Sequence, residues 1–288
     1  MSRPRRSGWR REVINRFTSV LLATFCALSL AWSGTVAAQN YRQQGIYPVF
    51  DGWETLPDGS VKFYFGYMNR HSTQVTIALG ADNTFDPAPA DQNQPTNFLP
   101  GRHEHVFTVV RPKGFNAKFA WTLKSGVGVQ KAIASPDQLY ILEVEEEDPG
   151  EHAVPPQIAA KDLTGKAGQP IALVPQVKAT AQKERVIEGS GPRSAAVSVL
   201  WNLHRGPGAV AFSAAPGAPA PRAPGAARGG RPEPPPTPGL FTVSCSFPIA
   251  ASCGAAQAAF SAPGDYVLSV AAQQQRERAQ TFVKVHVE

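Results

Sequence analysis

The chain contains little cysteine, and beyond its first segment it shows no helical pattern. Only three cysteines occur among the 288 residues, and one of them, Cys26, lies in an N-terminal apolar stretch. The two thiols that are left would be too few for a zinc site made of cysteine alone. No stretch after residue 38 keeps a 3.6-residue period of apolar side chains, so the pattern favours strands over helices.

Motifs that carry chemistry are also scarce. The chain contains no Gly-x-Ser-x-Gly elbow, His-Glu-x-x-His pair, phosphate-binding loop or dinucleotide fingerprint. The nearest pattern is His103-Glu-His105, because residues two apart on a strand share a face, although zinc would need a further ligand. We therefore predict a non-catalytic protein without a cofactor. A metal-dependent enzyme that uses His103 and His105 is the lesser alternative.

The N-terminus has the three parts of an export signal. Several arginines precede the apolar stretch Val20–Trp32, and Val36-Ala-Ala38 offers small residues for cleavage. The apolar stretch has 13 residues. As a helix it would span roughly 20 Å, against about 30 Å of bilayer hydrocarbon. We predict a signal peptide at residues 1–38 and a mature chain without a membrane span, located in the periplasm, outside the cell or at its surface. An uncleaved anchor is the alternative.

Most of the positive charge belongs to that signal. Residues 1–38 hold six of the 28 Lys and Arg and one of the 22 Asp and Glu, which leaves 22 against 21 in the mature chain. Affinity for nucleic acid depends on clustered cations that neutralise phosphates. A nearly neutral mature chain therefore predicts no nucleic-acid partner.

The first half of the mature chain shows the alternation of strands. Apolar and polar residues alternate over 61–68 and 118–124, the second run including Trp121, which we predict to lie in the core. Between them, residues 80–102 contain four prolines and predict a surface loop. Polar and aromatic side chains on a long loop are typical of recognition surfaces, although they could instead pack the loop against its own module. The candidate binding residues are Asp82, Asn83, Phe85, Asn97, Phe98 and Arg102.

Two features divide the second half of the chain. Residues 143–156 form an acidic and proline-containing linker, for which a calcium site is the alternative to a solvated charge run. Residues 214–239 hold nine of the 27 prolines and five of the 25 glycines, so they predict a disordered insert. Cys245 and Cys253 stand eight apart in an exported chain and predict a local disulfide, with a reduced pair as the alternative.

Residues 197–287 show the features of a known fold. Trp201 lies on a middle strand, Phe260-Ser-Ala-Pro-Gly-Asp-Tyr266 precedes the penultimate strand, and the chain ends in Val-x-Val-x-Val. Together these resemble the PKD-type immunoglobulin-like fold. The resemblance implies that Trp201 fills the space between two sheets and that Tyr266 hydrogen-bonds back to nearby backbone.

A second resemblance concerns the first half. Phe65-Gly-Tyr-Met-Asn69, with the run Gln94–Arg102, resembles a group of uncharacterised secreted bacterial proteins and implies no activity.

These observations predict an all-β protein with two immunoglobulin-like β-sandwich domains in tandem, at residues 39–142 and 157–288, after the signal peptide. We expect an exported, non-catalytic binding or structural module that acts in protein–protein interaction or adhesion. Its partner would be an envelope or extracellular protein or glycan. A carbohydrate-binding accessory protein is the alternative, and it requires exposed aromatic rings, for which Trp53, Tyr64 and Tyr67 are candidates.

Overall fold

The computed structural model describes residues 44–142, 154–180, 196–216, 239–274 and 277–288. Residues 44–288 form one compact unit. The predicted signal peptide, the acidic residues 143–151 and most of the proline-rich insert lie outside the described residues, so those predictions stay predictions. In the described part of the chain, no helix is long and apolar enough to cross a membrane.

The first half of the compact unit is a sandwich of two three-stranded sheets. Its strands are β1 (Ile46–Thr55), β2 (Val61–Asn69), β3 (Val75–Thr76), β4 (Asn83–Asp86), β5 (Asn97–Phe98), β6 (Gly101–Arg111), β7 (Phe119–Ser125) and β8 (Gly128–Ala134). One sheet has the order β1-β2-β6 and the other the order β4-β7-β8, while β3 and β5 form a short ladder. All of these pairs are antiparallel.

Alternation along the strands places aromatic rings of both sheets in one core. Phe63 and Phe65 of β2 are buried and face Phe119 and Trp121 of β7. The ring centroids of Phe63 and Phe119 lie 4.9 Å apart, and those of Phe65 and Trp121 lie 6.2 Å apart, both edge to face. Such pairs stabilise a core beyond the area that they bury. The core therefore lies between the two sheets.

The second half is also a sandwich. Its strands are β9 (Gln157–Ala159), β10 (Leu163–Gly165), β11 (Pro170–Leu173), β12 (Gln176–Lys178), β13 (Val197–Arg205), β14 (Val210–Ala214), β15 (Leu240–Cys245), β16 (Ala256–Phe260), β17 (Gly264–Gln274) and β18 (Glu277–Val287). A five-stranded sheet in the order β10-β18-β17-β13-β15 packs on a three-stranded sheet in the order β11-β16-β14. The β10–β18 pair is parallel, and the other pairs in these two sheets are antiparallel.

Two aromatic side chains stabilise this second sandwich. Trp201 is buried, and its indole N–H donates to the Gly254 carbonyl at 2.8 Å. The Tyr266 hydroxyl donates to the Ala262 carbonyl, also at 2.8 Å, four residues back along the chain. A buried tryptophan and a tyrosine corner are features of immunoglobulin-like sandwiches. The protein is thus all-β, with two sandwiches in tandem, as the sequence predicts.

The predicted disulfide is present in the structure. Cys245 at the end of β15 is bonded to Cys253, and their Cα atoms are 5.6 Å apart. Both cysteines are buried at the edge of the second core.

Candidate binding site between the two sandwiches

A pair of charged side chains in the first sandwich joins β1 and β6 across the strand between them, β2. At this point the register shifts on both sides of β2, against β1 and against β6. Asp51 of β1 and Arg102 of β6 form an ion pair, and the Asp51 side chain is only 3% exposed. Gly66 of β2 provides the room, because a Cβ there would overlap the His103 carbonyl oxygen and lie 2.5 Å from Asp51 Oδ2. Bulges of this kind redirect side chains, and here they bring the two charges together.

The surroundings of this pair set the pKa of Asp51 and the hydrogen bonds of Arg102. Burial raises the pKa of Asp51, and it outweighs the opposing effects of the His105 backbone N–H and of Arg102. The His105 N–H donates to Asp51 Oδ2 at 2.8 Å. Arg102 Nη1 donates to the carbonyls of Tyr67 and His103. With Asp51 as its ion-pair partner and two backbone carbonyls as acceptors, Arg102 holds β6 against β2.

The two sandwiches meet at a cleft of about 410 Å³. The end of the first sandwich and β6 form one wall, and β13, β15, β17 and β18 form the other. Gln280 joins the walls, because its amide donates at 2.8 Å both to the Val106 carbonyl of β6 and to Ser269 Oγ of β17. The polar side chains of the lining include His103, Glu104, Asn202, Ser269, Arg278 and Gln280.

Arg278 is a cation of this lining without a carboxylate partner among the described residues. Its Nη2 lies 3.5 Å from Gln280 Oε1. The side chain is exposed, yet the surrounding protein atoms lower the pKa of its guanidinium. Burial lowers the pKa of His103, and the charges of Arg278 and Arg102 lower it further. Among the described residues, the cleft therefore contains one arginine, Arg278, that no carboxylate pairs with.

A second set of contacts holds the sandwiches together at the end of β13. Arg205 donates from Nη1 and Nη2 to the two carboxylate oxygens of Asp91, at 3.0 and 2.7 Å, and from Nε to the Gln94 carbonyl at 2.7 Å. The hydrogen bonds from Arg205 are the main cause that lowers the pKa of Asp91. A bidentate pair of this kind specifies orientation as well as contact.

His204 completes this contact. The structure places His204 in β13, fully buried, with its ring centroid 4.6 Å from that of Phe282. Burial lowers the pKa of His204 to about 4, so the imidazole is neutral at pH 7. Nε2 lies 2.8 Å from the Asn93 carbonyl and therefore donates to it, whereas Nδ1 has no hydrogen-bond partner among the described residues. The Thr96 N–H donates to the His204 carbonyl at 3.0 Å.

The structure buries most of the residues that were predicted to bind a ligand. The segment predicted as a loop contains β4 and β5, which turn side chains inward. Asn83 illustrates the result, since its amide donates to the carbonyls of Ile77 and Pro95 and its oxygen accepts from Trp121 Nε1. Four of the predicted binding residues are at most 3% exposed and are therefore inaccessible to a ligand in this fold: Asn83, Phe85, Asn97 and Phe98.

The other two predicted binding residues have different positions. Arg102 is held by Asp51, as described above. Asp82 is exposed and lines a separate open hollow of about 490 Å³, where it lies 3.6 Å from Lys124 Nζ. Asp82 therefore stays a predicted contact residue.

The two histidines proposed as metal ligands do not converge. The backbone of His105 has a φ of +50°, which interrupts the alternation that would place both rings on one face. The ring of His103 lies against Tyr67 and that of His105 against Tyr64. Among the described residues, no group of three or more His, Cys, Asp and Glu side chains is placed to hold a metal ion.

The rings proposed for sugar stacking are also largely covered. Tyr67 is 2% exposed and Trp53 is 8% exposed, while Tyr64 is half-buried. The Tyr67 hydroxyl accepts the Leu99 N–H, and the Trp53 indole donates to the Asp137 carbonyl. These two rings therefore serve the interior of the first sandwich.

Sequence reasoning missed the residues that build the cleft and the contact beside it. These residues belong to no motif: Asp51, His204, Arg205 and Arg278. The partners of Asp51, His204 and Arg205 lie far away along the chain. No local signal marked His204, because it directly follows the buried Leu203 and so breaks the alternation of β13.

The fold and the site define an all-β protein whose two sandwiches form one block with a polar cleft between them. No protein family matches this chain. No curated protein sequence matches it either.

Some solved structures of tandem domains align with most of the chain. Titin domains Z1Z2 in complex with telethonin share 10% identity over 84% of this chain and 96% of that chain, with a TM-score of 0.21. The D0-D1 domain of intimin shares 9% identity over 84% of this chain and 99% of that chain, with a TM-score of 0.22. Sidekick-1 immunoglobulin domains 1–4 share 9% identity over 85% of this chain and 50% of that chain, with a TM-score of 0.23. Likeness at these scores carries no argument, so the assignment of the fold depends on the sheets and cores described above.

Proposed function

We propose that this protein is an exported, non-catalytic binding protein of the bacterial periplasm or cell surface, which engages a protein partner through the cleft between its sandwiches. The observation that supports this function is the cleft, whose walls come from both halves of the chain. Hydrogen bonds through Gln280 join the two walls before any ligand arrives. Preformed concave sites with a few oriented polar groups are where binding is most often found.

The lining suits a peptide better than a sugar. Apolar side chains, among them Val106, Leu200 and Leu240, alternate with amides and a hydroxyl, which can bond to the backbone of an extended segment. Tyr67 is the one Phe, Tyr or Trp among the lining residues, and it is buried and unavailable for stacking. Adhesion or protein–protein interaction is therefore the better proposal, ahead of a carbohydrate-binding accessory role.

The organisation of the chain enters this proposal as well. We propose that the two sandwiches correspond to domains at residues 39–142 and 157–288, and that the second is of the PKD type. The contacts of His204 and Arg205 with residues 91–94 support a function in which the domains act as one block. A cleft between rigidly joined domains keeps its shape and binds without a large cost of ordering.

The experiment is a crosslinking pull-down from intact cell envelope with three forms of the protein. Asn202→Trp would fill the cleft from a half-buried lining position, and Lys131→Trp places the same ring at an exposed position of β8, outside the lining. We expect the wild type and Lys131→Trp to capture the same partner and Asn202→Trp to lose it, with all three equally folded by circular dichroism. Equal capture by all three forms would refute the cleft as the binding site, and no capture by any form would refute the function.

A further inference from the structure

We propose that the cleft recognises an acidic segment of its protein partner, with Arg278 as the group that binds a carboxylate. This inference depends on the function proposed above and adds the chemistry of the partner.

The two arginines of the lining differ in how they are satisfied. Arg102 is paired with Asp51 and also donates to two backbone carbonyls. Arg278 has no carboxylate partner among the described residues, and its contact with Gln280 is at the long limit of a hydrogen bond. A guanidinium presents five N–H donors in a planar fork that matches a carboxylate in a bidentate arrangement. Arg278 is thus the cation that an incoming anion would meet.

The surroundings of Arg278 make such a contact stronger than one on an open surface. Neighbouring protein atoms displace part of its water, which is why its pKa is lowered. A carboxylate that arrives there meets a charge that is less screened by solvent. The apolar side chains Leu200 and Leu240 in the same lining would exclude further water once a segment is bound.

Glu104, a carboxylate in the same lining, should have the opposite effect on an acidic segment from that of Arg278. It is exposed in the lining and forms no ion pair with a described residue. Its charge would repel an acidic segment, so the proposal predicts opposite effects for the two positions: loss of Arg278 weakens binding and loss of Glu104 strengthens it. A site that bound through shape alone would respond to neither charge.

The test measures binding of a short fluorescent peptide rich in Asp and Glu, and of its Asn and Gln counterpart, to the purified protein. We expect the acidic peptide to bind and Arg278→Gln to weaken its binding about tenfold or more, because the variant loses the charge-assisted hydrogen bonds to a carboxylate. Glu104→Gln should tighten binding by a few-fold. The matched control is Arg70→Gln, which removes an exposed arginine that lies over the Tyr47 ring, outside the lining. It should leave the affinity unchanged.

A second measurement ties binding to the cleft. Because the charge of Arg278 lowers the pKa of His103, a carboxylate bound at Arg278 should raise that pKa, which NMR titration of the His103 ring detects. Arg278→Gln alone should move it in the same direction without any peptide. Bound peptide without a change at His103 would contradict the assignment.

Other outcomes separate this inference from the proposed function. Equal binding of both peptides, or equal affinity for Arg278→Gln and Arg70→Gln, would overturn the inference. If Asn202→Trp still abolished partner capture, the proposed function would stand without it. Tight binding of polygalacturonate with none of the acidic peptide would overturn the choice of a protein segment.

Discussion

Acid should weaken the contact between the two sandwiches at His204. The imidazole is fully buried, and burial lowers its pKa to about 4. Asp91 on the facing loop raises this pKa and the neighbouring Arg205 lowers it, but neither outweighs the burial. In the unfolded chain the ordinary histidine pKa of about 6.5 applies. As the pH falls, the unfolded state therefore binds a proton before the folded state does.

The size of the effect follows from that difference. A folded pKa of about 4 and an unfolded pKa of about 6.5 differ by about 2.5 units, and each unit corresponds to about 1.4 kcal/mol. The contribution is fully present above about pH 6.5 and is lost as the pH falls through about 4. The free energy of unfolding should thus decrease by about 3 kcal/mol over this range because of His204 alone.

The perturbation is His204→Gln, since glutamine does not titrate and keeps an N–H that can donate to the Asn93 carbonyl. Urea unfolding of wild type and variant, followed by tryptophan fluorescence, is measured at several pH values between 7 and 4. Every other group titrates in both proteins, so the difference between them isolates position 204. We expect that difference to change by about 3 kcal/mol, with the wild type losing more stability in acid.

His286→Gln is the control for the direction in which stability changes with pH. His286 is exposed and lies 2.6 Å from Asp265, whose carboxylate raises its pKa. Its stabilising contribution is present below the unfolded pKa and is lost as the pH rises through the folded pKa, so its pH dependence runs in the opposite direction. Parallel profiles for wild type and His204→Gln would refute the reasoning, as would a His204 ring that titrates near pH 6.5 by NMR.

Three further predictions concern the free energy of unfolding in urea. Asn83→Ala should lower this free energy by about 3 kcal/mol or more, because three buried groups lose their hydrogen-bond partner. The control Asp82→Ala, on the surface, should change it by less than about 0.5 kcal/mol. Similar losses for the two variants would contradict the interior role of Asn83. Gly66→Ala should cost about 1–3 kcal/mol, since its Cβ would overlap a backbone oxygen of β6, and an unchanged midpoint would argue against the close crossing there. Replacing both Cys245 and Cys253 with serine should lower the free energy of unfolding by about 2–3 kcal/mol, because the bond closes a loop between residues eight apart. A reducing agent should lower the stability of the wild type by the same amount. A wild type that is insensitive to reduction would show that the disulfide does not form.

The strands and the core could largely be read from the sequence because both depend on local patterns. Alternation over residues 61–68 and 118–124 places side chains on two faces of a strand whatever lies beyond it, and those runs are β2 and β7. The disulfide was predictable for a related reason, since residues eight apart can meet without help from the remainder of the chain. Trp201 and Tyr266 belong to one sandwich and depend on its own sheets.

The candidate site was decided by tertiary structure, because each of its contacts joins distant segments. Nothing around His204 indicates burial, and it becomes buried since a loop 111 residues earlier covers it. Asp51 and Arg102 are 51 residues apart and meet only through two coinciding register shifts. The sequence by itself determined an all-β chain with two cores. Which polar side chains would be enclosed, and which charge would stay unpaired, depended on how those cores were placed against each other.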